Sequence, residues 1–165
     1  MKVVIVSDTH MPKRGNSLPG KLLKELETAD HIIHAGDWST IGTYEKLVSY
    51  APVTGVHGNV EENGIMDKFP DKQLLTLNGY TIGIVHGHGS GKTTERRAFD
   101  SFMNDDVDII VFGHSHIPLL RYFKKRLLIN PGSPTDKRTH PYYSFVVMNL
   151  GDELDVSHIF FSEKQ

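Results

Sequence analysis

The 165-residue chain contains no cysteine. That excludes a disulfide framework, a thiol nucleophile, an iron–sulfur ligand set and a thiolate zinc knuckle. It also lacks an excess of either charge: 18 Lys and Arg stand against 20 Asp and Glu, a formal net charge of −2. Phosphate-backbone affinity needs a net basic face, so a stable nucleic-acid partner is not expected. No apolar run approaches the ~18 residues of a membrane span. The first one, Val3-Val4-Ile5-Val6, is too short for a signal-peptide core. A cytoplasmic protein without a membrane partner is therefore expected. Repeats, low-complexity tracts and Pro/Ser-rich linkers are missing too, so residues 1–165 read as one domain. What the chain does have is histidine, ten in all. Imidazole is the commonest metal ligand and the side chain that titrates near neutrality.

In the first two-thirds, short β-branched runs alternate with helix-period segments, the pattern of βαβ units. Strands are expected at residues 2–7, 31–35, 52–56, 80–86 and 108–112. Three apolar stripes at helical spacing read as helix faces packed on a sheet: Leu18, Leu22, Leu23 and Leu26; Ile41, Tyr44, Leu47 and Val48; and Ala98, Phe99, Phe102 and Met103. The last third changes to strands at 119–123, 127–130, 143–150 and 154–161, separated by tight polar turns. A hairpin of 74–77 with 80–85 turns at Asn78-Gly79, a strong hairpin signal. A parallel core finished by antiparallel meanders predicts an α/β protein with two sheets face to face and helices outside.

Chemistry gathers where the apolar runs end. The successive runs close on Asp8-Thr9-His10, Gly36-Asp37, His57-Gly58-Asn59, His86-Gly87-His88 and Gly113-His114-Ser115-His116. Asp8, Asp37, Asn59, His86 and His114 are separated by 29, 22, 27 and 28 residues, close to the roughly 30 of one strand-plus-crossover unit. In a parallel sheet those ends point the same way, so the polar groups should converge. Asp8 with His10, and His114 with His116, stand at i, i+2 and would share a side if extended. Two carboxylates, four imidazoles and one amide form a nitrogen and oxygen set too large for one tetrahedral ion and suited to two ions sharing a bridge. Asp37 is the candidate bridge. Two such ions would hold a bridging hydroxide and clamp a phosphate ester.

These five blocks, in this order and over residues 3–133, resemble the calcineurin-like metallophosphoesterases. The short length, His86-Gly87-His88 and Asn130-Pro131-Gly132-Ser133 look like the small prokaryotic phosphodiesterase branch. The resemblance implies a four-layer α-β-β-α sandwich of two mixed β-sheets. It implies one metal on Asp8, His10, Asp37 and His116 and a second on Asp37, Asn59, His86 and His114. Two divalent ions per chain are expected, manganese first, with nickel, iron, zinc or cobalt as alternatives. Asp37, Asn59 and His88 are the expected catalytic residues, and Asn59, His57 and His88 the expected contacts of a small phosphodiester or nucleotide-like substrate.

One block departs from the family. Its common Gly-Asn-His-Asp/Glu, whose histidine is taken to protonate the leaving group, reads Gly58-Asn59-Val60-Glu61 here. Valine carries no proton, and a missing general acid forfeits roughly 10²–10⁴-fold with a poor leaving group. Good leaving groups, or rescue by His57 or His88, are expected. Two other classes compete: a phosphomonoesterase on the same site, and a non-catalytic scaffold like the retromer subunit of vacuolar protein sorting. Homo-oligomerisation is left open.

Other motifs read as structure. His31 and His34 flank an apolar pair, with His34 in reach of orienting Asp37, while His140 and His158 are packing or surface residues. The 86–93 segment lacks the first glycine of a phosphate-binding Gly-x₄-Gly-Lys-Thr loop. Lys92, Arg96 and Arg97 read as a solvated helix start, with contact to an anionic substrate as the alternative. The basic stretch Arg121–Arg126 reads as a guarded edge strand.

Overall fold

The β-branched runs form strands whose alternate residues face opposite layers, and residues 1–164 are described by a computed structural model. Among the described residues, the first five-stranded sheet has the order β10 (Leu154–Phe161), β9 (Tyr143–Leu150), β1 (Lys2–Val6), β2 (His31–His34) and β3 (Val53–Gly55). The second runs β4 (Lys72–Leu77), β5 (Tyr80–Val85), β6 (Ile109–Val111), β8 (Arg126–Asn130) and β7 (Leu119–Phe123). Strands β1, β2 and β3 are parallel, as are β5, β6 and β8, and the remaining pairings are antiparallel. Both sheets are mixed.

Val3, Ile5 and Ile33 of the first sheet pack against Ile82, Ile84, Val111 and Ile129 of the second, forming the core between the sheets. Val4, Val6 and Ile32 face outward onto α1 (Gly20–Leu26), α2 (Ile41–Val48) and α3 (Asn63–Lys68). Ile110 and Leu128 do the same for α4 (Thr94–Ser101). The order of layers is therefore α-β-β-α. Helix α1 has seven residues, too short to persist alone in water. Its buried Leu22 and Leu26 hold it, each worth roughly 1.5–3 kcal/mol.

Several local expectations need correction. Val48 and Met103 are 41% and 58% exposed: Val48 stands about 100° round α2 from buried Leu47, and Met103 lies beyond the end of α4. Helix α3 is absent from the periodicity reading, since it buries Ile65 alone. The strands expected at 2–7, 31–35 and 80–86 stop one residue early, and 52–56 and 108–112 are shorter at both ends. The Asn78-Gly79 turn has φ of 46° and 86°, the primed geometry that hairpins favour. Strand β7 is an edge strand with lysines at its turn, where such charges oppose edge-to-edge pairing. Among the described residues no helix is long and apolar enough to cross a membrane.

Candidate metal centre

Within three residues of their ends, β1, β2, β5 and β6 run into left-handed backbone. Asp8, His10, Asp37, His114 and His116 all have positive φ, between 45° and 65°. The i, i+2 argument therefore fails as geometry: these residues reach the cluster through left-handed turns, not along extended backbone, and His114 and His116 enter different groups. The two expected mixed sheets share the five strand ends, β1, β2 and β3 in one and β5 and β6 in the other. Backbone bonds lock the turns together, Asp8 N–H donating to Gly36 O at 2.9 Å, His10 N–H to Asp37 O at 3.0 Å and Gly113 N–H to His86 O at 3.1 Å. Two glycines are required by contact: a Cβ at Gly58 would stand 2.1 Å from Asp37 Oδ1, and one at Gly113 1.8 Å from Ser7 Oγ.

Two groups of ligand-type atoms result. Asp8, His10 and His116 form one, and Asp37, His86 and His114 the other, the atoms of each lying within 4.8 Å of one another. Asp37 sits between them, with Oδ2 3.5 Å from His10 Nε2 and 3.3 Å from His86 Nε2. Its Oδ1 accepts the N–H groups of Asn59 and Val60, both at 2.9 Å, leaving Oδ2 to face the two groups. Asn59 Oδ1 lies 3.0 Å from His114 Nδ1, adding an amide oxygen to the second group. In the first group His10 Nε2 and His116 Nε2 face each other at 3.3 Å, and Asp8 Oδ1 lies 3.3 Å from His116 Nε2.

The electrostatics leave room for cations. Asp8 Oδ1 and His86 Nε2 are buried without a hydrogen-bond partner. Burial pushes the Asp8 carboxyl up to about 7, with neighbouring Asp37 adding to the rise. His114 and His116 are pushed down to about 4, mainly by burial, so their rings are neutral with lone pairs available near pH 7. Burial also opposes charge on His86 and Asp37. Their mutual attraction at 3.3 Å outweighs it, raising His86 to about 9 and holding Asp37 well below the usual carboxylate range. His86 Nδ1 donates to Ala35 O at 2.7 Å and His116 Nδ1 to Asp136 O at 2.5 Å. Each bond fixes the tautomer and turns Nε2 toward the carboxylates, as ligand-orienting partners do. Orphaned buried atoms, the neutral imidazoles of His114 and His116 and an all nitrogen-and-oxygen donor set fit two divalent cations.

Several residues brace these loops in roles that the sequence does not mark. Glu61, within the block that departs from the family, accepts from Trp38 N at 3.1 Å, Ser39 N at 2.8 Å and Gly58 N at 2.9 Å. Ser133 Oγ donates to Asp8 O at 2.7 Å and Thr135 Oγ1 to Thr9 O at 2.5 Å. Buried Asn130 donates to Gly113 O and Ser115 Oγ and accepts from Gly132 N. His34 Nδ1 accepts from Gly36 N, so its Nε2 carries the proton donated to Thr9 Oγ1 at 3.0 Å. His34 thus ties the first two loops together and stacks on Trp38 at 3.6 Å, without a bond to Asp37.

The remaining predicted residues divide. His88 lies beside the cluster, its ring 5.6 Å from that of His86, with a buried Nδ1 lacking a partner. His57 is half-buried and bonded through Nδ1 to Gly58 O. His31 bonds Thr54 on the neighbouring strand, and His158 Nε2 donates across the sheets to Asn130 O at 2.8 Å. Lys92 and Arg96 pair with Asp100. Arg97 is bound to Gly87 O, Lys92 O and Thr94 Oγ1, so these cations belong to the start of α4.

Comparison with known proteins agrees with this geometry. A probable metallophosphoesterase of Methanothermobacter thermautotrophicus is 32% identical over 164 residues, covering 96% of this chain and 92% of that protein. An archaeal phosphodiesterase superposes with a TM-score of 0.78 at 18% identity, over 98% of this chain and 100% of the other. Wild-type Vps29 of Entamoeba histolytica, solved in complex with zinc, has a TM-score of 0.77 at 23% identity, covering 97% and 99%. At these identities the two structures speak for the fold. The Calcineurin-like phosphoesterase superfamily domain matches residues 1–153. By sequence and by fold, the chain belongs to the calcineurin-like phosphoesterase superfamily.

Proposed function

We propose that this protein is a metal-dependent phosphodiesterase that uses water to cleave one ester bond of a small phosphate diester. The observation that carries the reading is Asp37 Oδ2, within 3.5 Å of a ring nitrogen from each of the two ligand groups. Asp8, His10, Asp37 and His116 would hold one cation and Asp37, Asn59, His86 and His114 the other. Cations bound there would acidify water and neutralise charge building on phosphoryl oxygens. Manganese is the first candidate, since these donors suit several ions and supply decides among them.

The chain's own groups do the positioning. Asn59, on an exposed turn pinned to Asp37 and Glu61, presents its amide where a phosphate would meet the second group. His88, unpartnered at Nδ1, is the nearest candidate to hold a phosphoryl oxygen or pass a proton, with His57 behind it. Val60, 43% exposed, offers no proton, so departure of the alcohol depends on its own stability. A diester carries one negative charge and a monoester two. Arg97, tied to carbonyls, is not free to meet the second, which favours the diester.

Hydrolysis of bis(p-nitrophenyl) phosphate and p-nitrophenyl phosphate by protein reconstituted with Mn²⁺, Ni²⁺, Co²⁺ or Zn²⁺ tests the reading. The diester should turn over faster, and Asp37→Asn should abolish the rate. Preference for the monoester would make the protein a phosphomonoesterase; inactivity with every ion would favour the scaffold. Metal content alone does not separate scaffold from enzyme, because a Vps29 has been solved with zinc.

A further inference from the structure

Each of the first three ligand-bearing loops continues past its ligand, and the continuations pair with one another. Met11 bridges Ser39, and Ser39 bridges Glu61, both in parallel, with Glu62 N–H donating to Ser39 O at 2.9 Å. This miniature ladder floors an open cleft of about 490 Å³, within the range of small-molecule sites. Pro12 and Val60 give it apolar walls, while Asn16, Ser39, Thr40 and Glu62 supply polar groups. Past Asn16 and Thr40 it continues into a second cavity of about 210 Å³ reaching Lys46.

The cleft touches the metal centre directly, since Val60 N–H is bonded to Asp37 Oδ1. Ser39 at its centre has φ of 75°, a conformation strained for a serine, and its Oγ is buried without a partner. The lining charges are Lys13 against Glu61 and Glu62, and Glu61 is taken up by three N–H groups. No cationic excess remains to match a second phosphate. Amide, hydroxyls and a carboxylate between apolar walls match a neutral ring bearing hydroxyl groups.

We infer that this cleft is the subsite for the sugar arm of the diester, a ribose-type polyol ring held by Asn16, Ser39, Thr40 and Glu62. The inference rests on the phosphodiesterase reading above and narrows its substrate class to nucleoside-like diesters. The test compares two diesters with one leaving group, the p-nitrophenyl ester of uridine 5′-phosphate and ethyl p-nitrophenyl phosphate. Wild type should favour the uridine ester in kcat/KM by about tenfold or more. Thr40→Trp and Asn16→Trp, which fill the cleft, should bring the ratio towards one. Neither removes a side-chain helix cap, for Thr40 makes none. Independently of turnover and of metal, titration with uridine should shift the amide resonances of Asn16, Ser39, Thr40 and Glu62. A ratio near one in wild type without those shifts overturns the subsite and leaves the phosphodiesterase standing. A preference that persists in both tryptophan variants also overturns it. Shifts in those four amides with neither diester hydrolysed would keep the subsite and sink the phosphodiesterase.

Discussion

Replacing Glu61 removes the acceptor that joins two ligand loops. Its carboxylate takes the N–H groups of Trp38, Ser39 and Gly58 at 2.8–3.1 Å, and these residues flank Asp37 and Asn59. Hydrogen bonds to charged groups contribute roughly 1.5–3 kcal/mol each. Burial opposes the ionised form and lifts this carboxyl above its ordinary range despite the three bonds, so removing it recovers part of a desolvation penalty. Glu61→Ala should therefore cost about 3–4 kcal/mol, a large fraction of a typical ~5–15 kcal/mol stability. Glu61→Gln should cost less. Its oxygen can take the place of Oε1, which serves both Trp38 and Gly58, while its NH₂ confronts only Ser39 N–H. About 1–2 kcal/mol is expected there. Urea unfolding followed by the fluorescence of Trp38, buried and the single tryptophan of the chain, gives both values. Diester hydrolysis under native conditions should fall in the same order, as Asn59 loses its fixed position. Alanine costing no more than glutamine, or less than about 0.5 kcal/mol, would refute the assignment of these bonds as the brace.

Four other perturbations probe separate parts of the molecule. Mn²⁺ at a hundred times its dissociation constant should add about 2.7 kcal/mol, raising Tm by about 5–10 °C in calorimetry; no shift with any divalent ion would exclude the metal centre. Val60→His should raise hydrolysis of alkyl diesters by about 10²-fold relative to nitrophenyl diesters, and an unchanged ratio would show that residue 60 is not placed to donate. Asn130→Ala leaves Gly113 O, Ser115 Oγ and Gly132 N without their partner and should cost about 2–4 kcal/mol in urea unfolding. His158 is held by burial below its ordinary pKa. The unfolded chain therefore takes up its proton first, and stability falls as pH drops below about 6.5; His158→Gln should shrink that loss between pH 7.5 and 5.5, and an equal slope would refute it.

The convergence of the candidate ligands was legible because each follows an apolar run at intervals near one strand-plus-crossover unit, a regularity that survives any change in how the strands are shared out. Two mixed sheets were expected, but which strands each would hold was not legible, for strand neighbours such as β1 and β9 are chosen by packing far apart in sequence. The left-handed turns escaped for a different reason. Asp8 and His116 are ordinary residue types whose φ is imposed by the locked loops, and no local pattern marks it. The bracing roles of Glu61, Ser133 and Thr135 went unread, because a side chain bonded to a distant backbone leaves no periodic trace. Arg97 shows the converse: a basic loop suggests an anion, and the protein's own carbonyls occupy it.

Both ligand groups straddle the seam: Asp8 and His10 meet His116, and Asp37 meets His86 and His114. The gap they span is set by the apolar layer between the sheets, where Ile33, Ile84 and Val111 lie. That layer works as a shim. Trimming it, as in Ile84→Val, should alter the separation of the two ligand groups. The dimensions of this centre are thus written partly in the volume of its greasiest residues, and variants of the core are variants of the site.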